Sequence, residues 1–398
     1  MQKNNVPIML AAVCLALFLS GALAVRPAYA VGLDRYVAKT GSDSGNCSSD
    51  PWLTIGYAIT ESGSNDVIHI GAGTYTENLV TNKNLNFLGT GMQTTILDGG
   101  GVGTVITGDT YNLFIQDLTI RNGYALESGG GINESGGVLN LSRVWVTGNV
   151  AKNGGGIVSS GPLTMNDCVV SDNQANLDTN GDGGGLFLQG GAVVTVNITN
   201  VTFSGNTASL YSGGIHNQGL GTLNLTNVTI SGNTAKLNGA MTNTNHATAN
   251  ILNITIAWNH SSAAGGNGGI GNYATVYFKN SLLSGNDTEN CGNGTGGVMI
   301  SLGNNLESGN NCNFTQTSDL PNTDPQLGSL ADNGGPTQTL ALLDASVLHP
   351  RSPAIDAGAD TGCPPTDQRG VARPQGAHCD IGAFELMIAR IYLPLIWH

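Results

Sequence analysis

The order of apolar and polar positions between Leu113 and Asn286 repeats. LNLSRVWVTGN (Leu139–Asn149), LTMNDCVVSDN (Leu163–Asn173), VNITNVTFSGN (Val196–Asn206) and LNLTNVTISGN (Leu223–Asn233) are successive copies. ANILNITIAWN (Ala249–Asn259) and VYFKNSLLSGN (Val276–Asn286) follow, and LFIQDLTIRNG (Leu113–Gly123) is a looser first copy. The closing asparagines 149, 173, 206, 233, 259 and 286 lie 24, 33, 27, 26 and 27 residues apart. A second phrase separates the copies: GGGI at Gly129 and Gly154, GGGL at Gly183, GGI at Gly213 and Gly268. A fixed period in this range indicates stacked units, none of which buries its apolar face alone.

Each unit reads as strands. In LNLTNVTISGN, Leu223 and Leu225 alternate, then Val228 and Ile230 alternate, with a corner at Thr226-Asn227. Without that corner, period-two alternation would turn Val228 and Ile230 outward. Ile132, Ile157, Leu186, Ile215, Met241 and Ile270, after the glycines, mark a third short strand facing inward. Three strands and three corners per turn predict an all-β fold, a right-handed parallel β-helix of roughly 9–10 coils rising about 4.8 Å each. Asn200, Asn227, Asn253 and Asn280 share position five of the repeat and are expected to form a corner ladder, since Asn tolerates the left-handed conformation. Arg143, between Asp117 and Asp167 at the same position, predicts a charge ladder rather than a catalytic group.

The ends differ from the middle. Residues 1–30 read as an export signal, with Lys3, an apolar run and Ala28-Tyr29-Ala30 as the cleavage site after Ala30. Residues 31–112 read as an N-terminal cap and irregular first coils. Leu53, Ile55, Tyr57, Ala58 and Ile59 supply one face of a short helix that covers the end of the core. Regular coils then span 113–312, a small C-terminal domain 313–385, and an apolar tail 386–398. That tail carries Arg390 and Pro394 and is too short to cross a bilayer; a final strand and a surface-retention signal are both open readings.

Charge narrows the partners. Removing the signal takes away Lys3 and Arg26 and no acid, so the net charge of −13 becomes −15. Nucleic acid and anionic membrane are poor partners for such a chain, and no mature segment is long enough to span a membrane. A monomer that touches an extracellular glycan or cell-surface component is expected. Six cysteines remain after export. Cys291 with Cys312, a little under one coil apart, and Cys363 with Cys379, around a Pro-rich loop, are the expected disulfides. Cys168 takes an inward position as a free thiol, which leaves Cys47 unpaired.

Three resemblances carry names. The GGGI and FSGN phrases (Gly183–Leu186, Phe203–Asn206) resemble the repeats of polymorphic outer-membrane proteins. Tyr36–Asp43, with TIGYAI and GTYTENL, resembles the opening of secreted pectin-lyase-like proteins. Asp324–Leu343, Arg351–Gly358 and Asp367–Glu385 are similar to the choice-of-anchor Q domain, which implies a secreted surface protein of unassigned activity.

Chemistry is sparse by comparison. β-Elimination on a uronate needs a cation and a base close together. The cations Lys83, Arg121, Arg143, Lys152, Lys236 and Lys279 are scattered over different coils. His216 is the best single acid/base candidate and is expected outward beside Asn217, as solvated surface. Glu127, Glu134 and Asp182 do not nominate the carboxylate pair that hydrolysis requires, and Asn322-Thr323-Asp324 lies outside the coils. Asp178, Asn180 and Asp182 follow the first half of a calcium loop, but Gln189 stands where a bidentate Glu belongs. The alternative is a Gly/Asp-rich turn that absorbs the extra residues of the 33-residue coil. These features favour a non-catalytic adhesion or carbohydrate-binding protein over a polysaccharide lyase, with no cofactor other than a candidate Ca2+.

Overall fold

A computed structural model describes residues 32–47, 49–191 and 193–387. The signal segment with its cleavage site at Ala30, and tail residues 388–398, lie outside the described residues. The chain winds into a parallel β-solenoid whose glycine-side sheet has nine strands, one per coil.

One coil shows how the sequence folds. Thr195–Thr199 runs extended, Asn200 turns the corner at φ 57°, and Thr202–Ser204 continues in a new direction. Gly205, at φ 65°, and Asn206 make the next corner. Thr207–Ala208 forms a two-residue strand, and residues 209–214 lead into Ile215–Asn217. The strand before the glycines is a correction: it belongs to a separate six-stranded sheet, so the coil has four strand segments where three are predicted. Its two-residue length leaves almost no alternation to read.

The stacking is in register. Val196 pairs with Leu223, Leu223 with Ala249 and Ala249 with Val276, so the same position recurs on each coil. Leu223, Leu225, Val228 and Ile230 have no exposed surface, nor do the six residues predicted after the glycines. Each such burial contributes roughly 1.5–3 kcal/mol. All of them join one continuous core running from Val37 to Phe314.

Polar groups enter that core in stacked columns: Asn217, Asn243 and Asn272 make one on the nine-stranded sheet, and the closing asparagines make another. Asn149, Asn173, Asn206, Asn233, Asn259 and Asn286 form a ladder, each Nδ2 donating to the Oδ1 of the next at 2.9–3.0 Å. Asn290 ends it, accepting from Asn286. Each backbone N–H of Asn149 to Asn259 donates to the same next oxygen, as in Asn206 to Asn233 at 3.0 Å. The turn before the glycines thus satisfies its own buried amides.

The position-five corners are left-handed throughout, from Asp117 (φ 57°) and Arg143 (φ 51°) to Asn280 (φ 49°) and Asn304 (φ 57°). Their ladder is partial: Asn227 reaches Asn200 and Asn280 reaches Asn253, both at 3.3 Å. Arg143 pairs with both carboxylate oxygens of Asp117, while Asp167 receives Asn200 at 3.0 Å.

At the N-terminal end, Ile55–Glu61 is the capping helix, with Thr54 as N-cap and Ile55, Ala58 and Ile59 buried. At the other end, residues after Phe314 turn back along the solenoid. Thr337 donates to Asn200 O, Asn227 to Thr366 O, Asn253 to Asp380 O, Asn280 to Ala359 O and Asn304 to Ala357 O. Gln368 bridges two coils, accepting from Thr229 Oγ1 at 2.7 Å and donating to Thr202 Oγ1 at 2.8 Å. Leu342, Ile355, Ile381 and Phe384 pack on Leu282 and Leu306 beneath. Cys291–Cys312 and Cys363–Cys379 are disulfides, with Cα atoms 4.9 and 6.7 Å apart. Cys47 and Cys168 are buried free thiols, and burial pushes Cys168 up to about 12.

Candidate functional site

The glycine phrase roofs the outer face of the nine-stranded sheet. Gly129, Gly154 and Gly183 take positive φ, and a Cβ there would strike the next outward residue, Asn133, Val158 or Phe187. Later coils substitute Ser212 (φ 58°) and Asn238 (φ 59°), whose side chains bond Thr242 Oγ1. Val158, Phe187, His216 and Thr242, outward on this sheet, are therefore covered.

His216 is one of them, and this corrects its expected exposure. It is 3 % exposed, shut between Phe187 and Tyr211 with ring centroids 5.2 and 5.8 Å away. Its Nδ1 has no hydrogen-bond partner and lies 3.5 Å from Asp182 Oδ2. Strand alternation gave its direction; the loop that covers it comes from elsewhere in the coil.

The calcium-like residues are drawn apart. Asp178 accepts from Asn180 N at 2.8 Å and pairs with Lys152 at 3.3 Å, contacts that hold its carboxyl below the usual range. Asn180 is exposed. Asp182 turns the other way, accepting from Tyr211 N at 3.1 Å and facing His216. Burial, then Tyr273, then Asp182 raise the Tyr211 hydroxyl. Among the described residues no three His, Cys, Asp or Glu side chains converge on a point that would hold a metal. Glu134 is also buried, its Oε1 accepting from Gly136 and Gly137 and its Oε2 unpartnered; burial raises it.

Where this sheet meets the turn back to the long sheet, an open depression of about 590 Å3 is lined by Ser160, Gln189, Gly190, Gly191, Gln218 and Asn245. Gln189 and Gln218 follow the paired residues Leu188 and Asn217, so their amides stand one coil apart. Asn245 Nδ2 donates to Gln218 O at 3.3 Å. The sequence reading missed this set, except that Gln189 was seen as a failed calcium ligand. Its signal is a polar residue after each third strand, in VSSG, FLQG, HNQG and TNTN.

A second polar surface lies on the neighbouring long sheet. Thr195, Thr222, Thr248 and Thr275 form one outward column. Beside it Asn250 donates to Asn224 at 2.8 Å and Asn224 to Asn197 at 2.9 Å. Neither surface carries an ion pair; both offer amides and hydroxyls.

A solved structure shares this architecture. The crystal structure of pectate lyase Pel9A matches 88 % of this chain and 96 % of its own, with 17 % identity and a TM-score of 0.51. The fold is pectate-lyase-like. The complex of XylC with xylose aligns over 89 % of this chain and 98 % of its own, at 11 % identity and a TM-score of 0.44. No protein-family model matches the sequence, and no curated protein does. In this pectate-lyase-like solenoid, no helix among the described residues is long and apolar enough to cross a membrane.

Proposed function

We propose that this chain is an exported, non-catalytic carbohydrate-binding protein of the cell surface, and that its glycan lies in the depression lined by Ser160, Gln189, Gln218 and Asn245. The carrying observation is the division of labour on that side of the molecule. The groups open to solvent are amides and a hydroxyl, which donate to and accept from sugar hydroxyls. His216, which faces Asp182 on that side, is closed off by two aromatic rings, and a general base has to reach the proton it removes. Export is supported by the signal-like residues 1–30 and by two disulfides. Attachment at the surface rests on the resemblance of the C-terminal segment to the choice-of-anchor Q domain.

A panel of neutral and uronate polysaccharides tests this by affinity electrophoresis, with absorbance of unsaturated product followed in parallel. Retardation by at least one polymer is expected, weakened in Gln218→Ala, with no product. Retardation that Gln218→Ala leaves intact would remove the depression from the reading. Lyase activity is the second reading, favoured by the unpartnered Nδ1 of His216 facing Asp182. Unsaturated product that disappears in His216→Ala would put that reading first.

A further inference from the structure

One corner of the coil holds a residue that its backbone does not suit. The residue before each closing asparagine is left-handed: Gly148 (φ 63°), Asp172 (φ 58°), Gly205 (φ 65°), Gly232 (φ 67°), Trp258 (φ 58°) and Gly285 (φ 61°). Glycine takes this conformation without steric cost and Asp tolerates it. A bulky side chain there is an outlier, and strain of this kind concentrates where a side chain has a task.

The surroundings of Trp258 fit such a task. It is 42 % exposed, while the apolar columns of the same coil are fully buried. Trp258 stacks on no other aromatic ring among those described, and its indole Nε1 makes no hydrogen bond among the described residues. A Cβ on Gly285 would stand 2.7 Å from Trp258 Cδ1 and 3.0 Å from Nε1, so the pyrrole edge rests on bare backbone and the rest of the ring projects. On its other side Gly232 is also bare: a Cβ there would meet nothing nearer than 4.0 Å. Two residues on, the exposed His260 pairs with Asp287 of the next coil. An aromatic face, a free indole donor, a vacant shelf and an exposed polar pair are thus adjacent.

We infer that Trp258 is a saccharide-stacking residue at the corner formed by Gly232, Trp258 and Gly285, on the edge of the solenoid away from the amide-lined depression. A pyranose ring offers an apolar C–H face to the indole and hydroxyls to Nε1 and the His260–Asp287 pair. Protein hot spots sit instead in well-packed, desolvated pockets, which this ledge is not. The acidic chain disfavours a nucleic acid. The site does not depend on the depression, although the ligand class is the same.

The test titrates the full chain with hexasaccharides of β-glucan, xylan, mannan and galacturonan, reading indole emission and calorimetry. At least one sugar is expected to shift the emission of the wild-type protein. Trp258→Gly is expected to weaken that sugar by about tenfold or more and to keep or raise the melting temperature, because glycine relieves the backbone. Trp258→Phe is expected to keep part of the affinity. Gln218→Ala is expected to leave the emission response in place, which separates this site from the depression. Three outcomes overturn the inference: no sugar binds, Trp258→Gly binds as the wild type does, or Trp258→Gly melts lower because the ring is structural packing.

Discussion

The solenoid and the segment that folds back along it are held together by opposite means. The coils repeat one small set of contacts, and Arg143 and its neighbours sit at the corners, away from the apolar columns. The returning segment has one two-stranded pair and concentrates buried charge instead. Arg369 donates to Asp367 at 2.7 and 2.9 Å and lies 3.5 Å over the Phe384 ring. Arg373, its side chain fully buried, donates to Asp380 O and Gly382 O and faces Glu385 at 3.4 Å. Glu385 in turn accepts from Gln375 N and Asp380 N. A repeated apolar contact is redundant, since neighbouring coils supply the same one. A charge knot is a single object whose members depend on one another.

The largest effects should separate the two regions. Val228→Asp places an unpaired carboxylate among apolar neighbours, at a cost of about 3–5 kcal/mol or more. Loss of the β signal in far-UV circular dichroism is expected, and an unchanged spectrum would reject the inward assignment. Arg373→Met leaves Glu385 buried without its cation, a loss of about 3–5 kcal/mol confined to the segment. Limited proteolysis should then cut between Asp324 and Glu385 while the solenoid spectrum persists. Simultaneous loss of both would show that the coils need the segment.

A smaller effect probes the interior ladder. Asn233→Ala removes the acceptor for Asn206 and the donor to Phe203 O and Asn259, for about 1–3 kcal/mol per orphaned group. A lower midpoint in denaturant is expected; no shift would mean that water replaces the amide.

The mildest test is pH. Burial first, then Glu385, pushes Asp380 up to about 7. Its folded pKa is thus above its unfolded one, so the native state holds that proton more tightly. The knot is strongest below pH 4 as far as Asp380 is concerned, and loses on the order of 4 kcal/mol as pH rises to about 7. Protease sensitivity of the segment should rise between pH 5 and 8, and Asp380→Asn should flatten that rise. Equal sensitivity in both proteins would assign the pH effect elsewhere.

The repeat made most of the solenoid readable. Alternation at Leu223 to Ile230 placed the inward columns, the spacing of Cys291 and Cys312 placed a disulfide, and Leu53 to Ile59 placed the cap, although Leu53 itself precedes the helix. What escaped depends on contacts between distant parts of the chain. The closing asparagines were visible as punctuation, but their role as the interior ladder needs the stacked geometry. His216 was placed on the correct strand face and in the wrong environment, because Tyr211 closes over it. The corners hold one signal in retrospect. Position five is Asp117, Arg143 and Asp167 where the returning segment is absent, and Asn200 to Asn304 where it docks.

That docking rail changes how the molecule carries load. In a bare solenoid, tension on the last coil would peel the stack open one coil at a time. Here the segment from Asp324 to Glu385 grips corners from Asn200 to Asn304, and Gln368 spans two coils at once. Tension applied through Glu385 therefore reaches several coils together and in shear, so their hydrogen bonds must break in parallel rather than in sequence.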